Sequence, residues 1–204
     1  MKRYRNKLML VVLSSPSGGG KTVTTKLLLK KHPEFARSIS VTTRKKRRRE
    51  KNGRDYYFVN QKEFRSKIKK GEFIEWAKVF GDYYGTAIEN IRKAEGKKEV
   101  LILTLDVQGA LSVKRKYPQS VLIFILPPSL RELKKRLVRR NTDRPETIKM
   151  RLKFSLKEIG FCKKYDYVMV NDSLKGIVGL IEKIIIAEKH KTERTVDFLL
   201  KRLS

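Results

Sequence analysis

The chain has 204 residues, 40% of them hydrophobic and 35% charged, which suits one α/β domain with insertions and a sizeable core. Fifty Lys and Arg against 21 Asp and Glu give a formal charge of +29, a surface that draws polyanions of any kind. One cysteine, Cys162, excludes an intramolecular disulfide and a cysteine cluster, two histidines, His32 and His190, argue against a histidine metal site, and no apolar run reaches the about 18 residues that cross a membrane.

The basic start, Met1 to Lys7, leads into an apolar run too short for a secretory leader, so the expected compartment is the cytoplasm. Leu8 to Leu13 reads as a buried strand and Thr22 to Lys31 as a helix ending near Pro33. Between them lies Ser15-Pro16-Ser17-Gly18-Gly19-Gly20-Lys21-Thr22. A glycine-rich turn that opens a helix aims backbone N–H groups and the helix dipole at an anion. In that context Lys21 reaches the β/γ-phosphates of a nucleotide and the Thr22 hydroxyl ligates Mg²⁺. Ser15 stands where the general pattern has its first glycine, which implies a backbone there without need of positive φ.

Ser38 to Thr42 reads as a second strand, followed by a basic run from Arg44 to Lys51 and the turn Asn52-Gly53. Tyr56 to Val59 is a short strand, Gln61 to Lys70 a helix, and Glu72 to Phe80 a strand ending at Gly81-Asp82. Ile88 to Glu95 is helical and stops at Gly96; Val100 to Leu105 is a long apolar strand with Asp106 at its carboxyl end. Val121 to Leu126 is another strand, closed by Pro127-Pro128. Leu130 to Arg140 and Ile148 to Lys164 read as helices with a break at Asn141 to Pro145. Tyr167 to Val170 is the last strand, Ile177 to Ala187 the last helix, and the tail beyond Lys189 is polar, then weakly amphipathic at Val196, Leu199 and Leu200. Apolar strands alternating with helices predict a parallel sheet covered on both faces, with ligands at the strand carboxyl ends. The shorter, aromatic strands between residues 44 and 88 predict an inserted substrate-binding subdomain, leaving 1–43 and 89–204 as the core.

Asp106 ends its strand as a Walker B carboxylate does, able to hold Mg²⁺ through water opposite Thr22, although many strands also end in an Asp that caps a helix. Arg136 and Arg140 lie one helical turn apart beside the break, with Arg151 beyond it. They form either a solvated basic surface or a lid, about residues 137–147, that brings arginines onto a transferring phosphate.

These residues resemble a known family. Ser40-Val41-Thr42-Thr43-Arg44, Arg47, Glu50 to Tyr56, Gly71 to Ala77, Tyr83-Tyr84-Gly85-Thr86, Asp106-Val107-Gln108-Gly109 and Val170-Asn171-Asp172 look like guanylate kinase in order and spacing. The resemblance runs from the phosphate loop to about residue 187. It implies an α/β P-loop kinase fold with a central parallel sheet, a small mixed GMP-binding subdomain and a lid. It also implies Mg²⁺-dependent transfer from ATP to GMP, and by extension dGMP. By that resemblance ATP meets Ser15 to Thr22 and Asn171, and Lys21, Arg136, Arg140 and Arg151 stabilise the transferring charge. The GMP phosphate falls to Arg44, Arg47, Tyr56 and Tyr84, and the guanine to Ser40, Glu75 and Thr86. A carboxylate at Glu75 suits guanine, whose N1–H and N2–H₂ donate from one edge. The family commonly carries Asp or Glu two residues before the strand-end Asp; Thr104 stands there, which implies a weaker hold on the guanine amino group.

Two other readings share the fold: a P-loop kinase for another small phosphorylated acceptor, and a non-catalytic scaffold binding phosphopeptides at the old GMP site. Retention of Lys21, Thr22 and Asp106 favours an enzyme. Lysines scattered along the chain make nucleic-acid binding a non-specific effect of charge, and the sequence leaves the oligomeric state open.

Overall fold

The computed structural model describes residues 8–79, 81–139 and 145–196, and of Arg139, Pro145 and Glu146 the backbone alone. The basic segment 1–7, Phe80, Arg140, the stretch 141–144 within the expected lid, and the tail positions Leu199 and Leu200 lie outside the described residues. In chain order the elements are β1 (Met9–Ser14), α1 (Lys21–Lys31), β2 (Phe35–Arg37), β3 (Val41–Thr42), β4 (Tyr57–Phe58) and α2 (Gln61–Lys69). Next come β5 (Phe73–Val79), β6 (Asp82–Ala87), α3 (Glu89–Ala94), β7 (Val100–Thr104), α4 (Val107–Lys116) and β8 (Val121–Leu126). The chain continues with α5 (Leu130–Arg139), α6 (Pro145–Gly160), a 3-10 turn (Phe161–Lys164), β9 (Tyr167–Val170) and α7 (Leu174–Lys189).

The main sheet runs β2-β7-β1-β8-β9, with every neighbouring pair parallel. Alternate residues of a strand face opposite ways, so a strand covered on both sides must be apolar throughout. The runs at β1, β7 and β8 meet that demand. Val11, Leu13, Ile102 and Ile123 pack with Leu28 of α1 and Ile177 and Ile181 of α7. Leu10, Val12, Leu101 and Leu103 pack on the other face with Ile91 of α3 and Ala110 and Val113 of α4. No helix among the described residues is long and apolar enough to cross a membrane.

A second sheet runs β4-β3-β6-β5, with β3 and β4 parallel and the other pairs antiparallel. Its core is aromatic: the Phe64 ring of α2 stacks on Phe73 at 4.7 Å and on Tyr83 at 5.4 Å. Gly85 admits that stack, because a Cβ there would come within 2.9 Å of the Phe73 ring.

The structure corrects several sequence expectations. Ser38 to Thr42 is not one strand. Phe35–Arg37 belongs to the main sheet and Val41–Thr42 to the small one, and the chain crosses between them at 38–40. The Asn90 side chain holds that crossing, donating to Ser38 Oγ at 2.8 Å and to the Ile39 carbonyl at 3.0 Å. Strand β2 is three residues long and ends in arginine, too short to show a pattern. Strand β6 was read only as a motif after a turn; Gly81, at φ +91°, lets the hairpin reverse into it. Helix α4 was not expected at all, since Gly109 and two valines dilute its helical signal. Pro145 begins α6 and does not end the break before it, the first-turn position where a missing N–H is harmless. That helix also stops at Gly160, the last four expected residues forming the 3-10 turn. Helix α7 starts three residues before the expected Ile177, capped by Ser173 Oγ on the Gly176 N–H at 3.1 Å.

Candidate active site

A cleft of about 670 Å³ opens where the carboxyl ends of the main-sheet strands face the small sheet. The whole phosphate loop, Ser15 to Thr22, lines it. Two loop glycines take left-handed backbone, Gly18 at φ +92° and Gly20 at φ +103°, the latter being the residue that caps α1. Ser15, at the position of the expected first glycine, is buried, and its hydroxyl donates to the Pro16 carbonyl at 3.0 Å. Space for that side chain exists because residue 19 is glycine; a Cβ there would meet Ser15 at 2.6 Å.

Lys21 Nζ donates to the Ser15 carbonyl at 2.9 Å and the Leu105 carbonyl at 3.3 Å. Its charge therefore sits between the ends of β1 and β7. Asp106 is the N-cap of α4: its Oδ1 accepts the Gly109 N–H at 2.8 Å, and it also lines the cleft. The helix-capping alternative and the cleft position thus coexist in one residue. Asn171 is buried, and its Nδ2 donates to the Gly19 carbonyl at 3.2 Å, fixing the loop from the end of β9.

Across the cleft, Arg44 Nη2 holds both carboxylate oxygens of Glu50 at 2.8 and 3.0 Å, and Glu50 also accepts the Arg47 N–H at 2.9 Å. The Arg44 guanidinium lies 5.4 Å from the Tyr56 ring centre, and Tyr56 meets Tyr84 edge-on at 6.0 Å. Arg44, Arg47, Tyr56 and Tyr84 all line the cleft. Four side chains whose chemistry suits an anion, drawn from positions 44 to 84, are thereby gathered at the face opposite the phosphate loop.

Ser40, Glu75 and Thr104 line the cleft beside this cluster. Thr86 is fully buried next to Glu75, donating its hydroxyl to Glu75 Oε1 at 2.6 Å. Burial pushes the Glu75 carboxyl up to about 7; the Asp106 charge adds to the rise, and the Thr86 hydroxyl and Lys116 oppose it. Helix α4 supports Glu75 from outside, since Lys116 Nζ donates to the Ile74 carbonyl and Gly109 lies against the carboxylate. A Cβ at residue 109 would stand 2.8 Å from Glu75 Oε2. Gly109→Ala is therefore expected to displace that carboxylate. Misplacing one binding group raises the KM for GMP about tenfold or more. The KM for ATP stays unchanged, and steady-state kinetics with each substrate varied checks both.

Of the three expected lid arginines, Arg136 and Arg151 line the cleft, and Arg136 Nε donates to Glu132 at 3.0 Å. Arg140 lies outside the described residues. Arg37 and Glu158 are charged cleft residues that carried no expectation in the sequence. Arg37 ends β2, where no strand was read. Glu158 of α6 is buried against the loop, and burial pushes its carboxyl up to about 7; the Lys21 charge and the Ser17 N–H pull it down, while the Asp106 charge pushes it up. Its spacing of seven from Arg151, two helical turns, was the available sign that both share a face.

Two clusters of cationic and hydroxyl side chains lining one cleft suit two phosphorylated ligands, the arrangement of a P-loop kinase whose acceptor already carries phosphate. The family model for guanylate kinase matches residues 7–188. Guanylate kinase of Clostridium tetani (strain Massachusetts / E88) is 44% identical over 163 residues, 80% of this chain and 78% of that one. Guanylate kinase of Clostridium perfringens (strain 13 / Type A) is 43% identical over 195 residues, 96% of this chain and 90% of that one. The crystal structure of guanylate kinase from Anaplasma phagocytophilum superposes with a TM-score of 0.81 at 36% identity, covering 97% of this chain and 95% of that one. The chain belongs to the guanylate kinase family.

Proposed function

We propose that the cleft transfers the γ-phosphoryl group of ATP to the phosphate of GMP, and of dGMP, giving ADP and GDP. The observation that carries this reading is the buried Glu75 carboxylate, braced by Thr86, beside the Arg44–Arg47–Tyr56–Tyr84 cluster and opposite the phosphate loop. Residues 44–88 serve as the acceptor subdomain. The two clusters do different work: Lys21 and the loop N–H groups hold the donor, while the Arg/Tyr cluster fixes the acceptor. The GMP phosphate oxygen is already a nucleophile, so no general base is required, and positioning with charge neutralisation supplies most of the rate. Arg136 and Arg151 take the developing charge from the α5–α6 side, and the family resemblance assigns the same role to Arg140. Asn171 serves the donor site.

The donor set suits Mg²⁺: the Thr22 hydroxyl and, through water, the Asp106 carboxylate are hard oxygen groups that line the cleft, few enough that water and ATP phosphates would complete the shell. When bound, the ion neutralises phosphate charge. No cluster of three or more His, Cys, Asp or Glu among the described residues offers an all-protein metal cage.

The reading is tested by ADP release with Mg-ATP against GMP, dGMP, AMP, CMP and UMP. Turnover with the guanine nucleotides alone supports it; no turnover with any acceptor leaves a scaffold, and a different preferred acceptor leaves a related kinase. Thr104, at the end of β7, gives a second check. Thr104→Asp is expected to tighten GMP binding, measured on the alkaline plateau of GMP affinity because the added charge raises the Glu75 carboxyl further. An unchanged or weaker affinity would overturn the role given to this position.

A further inference from the structure

Arg37 occupies a place that neither the phosphate-loop motif nor the acceptor cluster accounts for. It is the last residue of β2, the edge strand of the main sheet, in register with Ile102 of β7. Its side chain crosses to the small subdomain, where Nη2 donates to the Asp55 carbonyl at 2.7 Å, the residue before Tyr56. It lines the cleft together with Asp55, Tyr56, Arg44 and Arg47, and its charge bears on the Tyr56 hydroxyl along with that of Arg44. Its Nε is fully buried and makes no hydrogen bond. Nε is thus closed to a ligand, and what Arg37 offers the cleft that it lines is its positive charge and its outer guanidinium nitrogens. Glu50, the carboxylate of this wall, is already held by Arg44, and Asp55 Oδ2 accepts from Arg54 and the Lys51 N–H. Neither neutralises Arg37.

We infer that Arg37 is a third arginine of the acceptor site, supplying guanidinium N–H and positive charge to the phosphate monoester of the incoming nucleoside monophosphate. The inference rests on the acceptor reading of this cleft. Arginine suits the double task, since its planar fork can anchor a carbonyl with one nitrogen while presenting another to an oxyanion. The same side chain then ties the core sheet to the small subdomain at the point where the acceptor phosphate sits.

The test is a double-mutant cycle with Tyr56, read as GMP affinity by titration and as KM in turnover. Arg37→Met is expected to weaken GMP binding about tenfold or more, the scale of a lost hydrogen bond to a charged group, with the KM for ATP unchanged. Arg37→Lys, which keeps charge and loses the guanidinium fork, recovers part of that loss. The losses of Arg37→Met and Tyr56→Phe multiply in the double variant if both touch the phosphate. A double variant no weaker than Tyr56→Phe alone shows that Arg37 only holds the Asp55 carbonyl in place, and overturns the inference. So does GMP binding unchanged in Arg37→Met, or guanosine binding weakened by the same factor as GMP. Failure of the unaltered protein to phosphorylate GMP would refute the acceptor reading itself, whatever Arg37 does.

Discussion

Lys21→Ala is expected to abolish useful turnover while GMP binds essentially as before. Phosphoryl transfer asks the protein for charge at fixed positions, and removing one preorganised donor of that kind costs about 10²–10³ in kcat. Lys21 is well fixed: two carbonyls from different strands, those of Ser15 and Leu105, hold its ammonium. Flexible side chains elsewhere on this basic surface cannot replace it, because their charges are neither placed nor desolvated. The acceptor cluster stands on the small sheet and its flanking loops, so its affinity does not depend on this lysine. The loss also reaches Glu158, whose carboxyl Lys21 helps keep below the value that burial alone would give. Turnover measured against titrated GMP binding separates the two effects, and full activity in this variant would refute the donor role.

The main sheet was legible because its central strands must be apolar on both faces, and the runs Leu8 to Leu13, Val100 to Leu105 and Val121 to Leu126 show it without ambiguity. What stayed hidden is held by tertiary contacts. The three residues of β2 form a strand only because β7 lies alongside, and the crossing at 38–40 is fixed by Asn90 from α3. Helix α4 depends on the Asp106 cap and on packing of Ala110 and Val113 against the sheet. The site followed the same division. The phosphate loop is contiguous and could be read from its residues, whereas the acceptor residues are scattered from Ser40 to Thr104 and became visible only through resemblance. Arg37 and Glu158 belong to no contiguous motif, and only the folded chain places them at the cleft.

Glu75→Gln is expected to lower kcat/KM for GMP by about 10²-fold or more, the combined scale of two hydrogen bonds to a charged group. It should also collapse the preference for GMP over AMP. A carboxylate accepts from both guanine donors, while a carboxamide offers one acceptor and sets its own N–H₂ against the other donor. The pH dependence follows from the same group. With its carboxyl near 7, Glu75 is half protonated at neutral pH and must lose that proton to accept from guanine. GMP affinity is therefore full only above about pH 8 and falls as pH drops through 7. The GMP phosphate titrates near pH 6 as well, so the part due to Glu75 is the difference between the unaltered protein and Glu75→Gln. Stability runs the opposite way. A folded value above the unfolded one means that the fold binds the proton more tightly, so the stability that Glu75 itself contributes is fully present below about 4.5 and is lost as pH rises to about 7. A shift of that size corresponds to about 3 kcal/mol. Glu75→Gln removes this burden, and its melting temperature at pH 8 should equal or exceed that of the unaltered protein while its GMP turnover collapses. A variant that lost stability and turnover together at pH 8 would make Glu75 a structural carboxylate; the opposite movement of the two marks a buried charge retained for guanine at the expense of the fold.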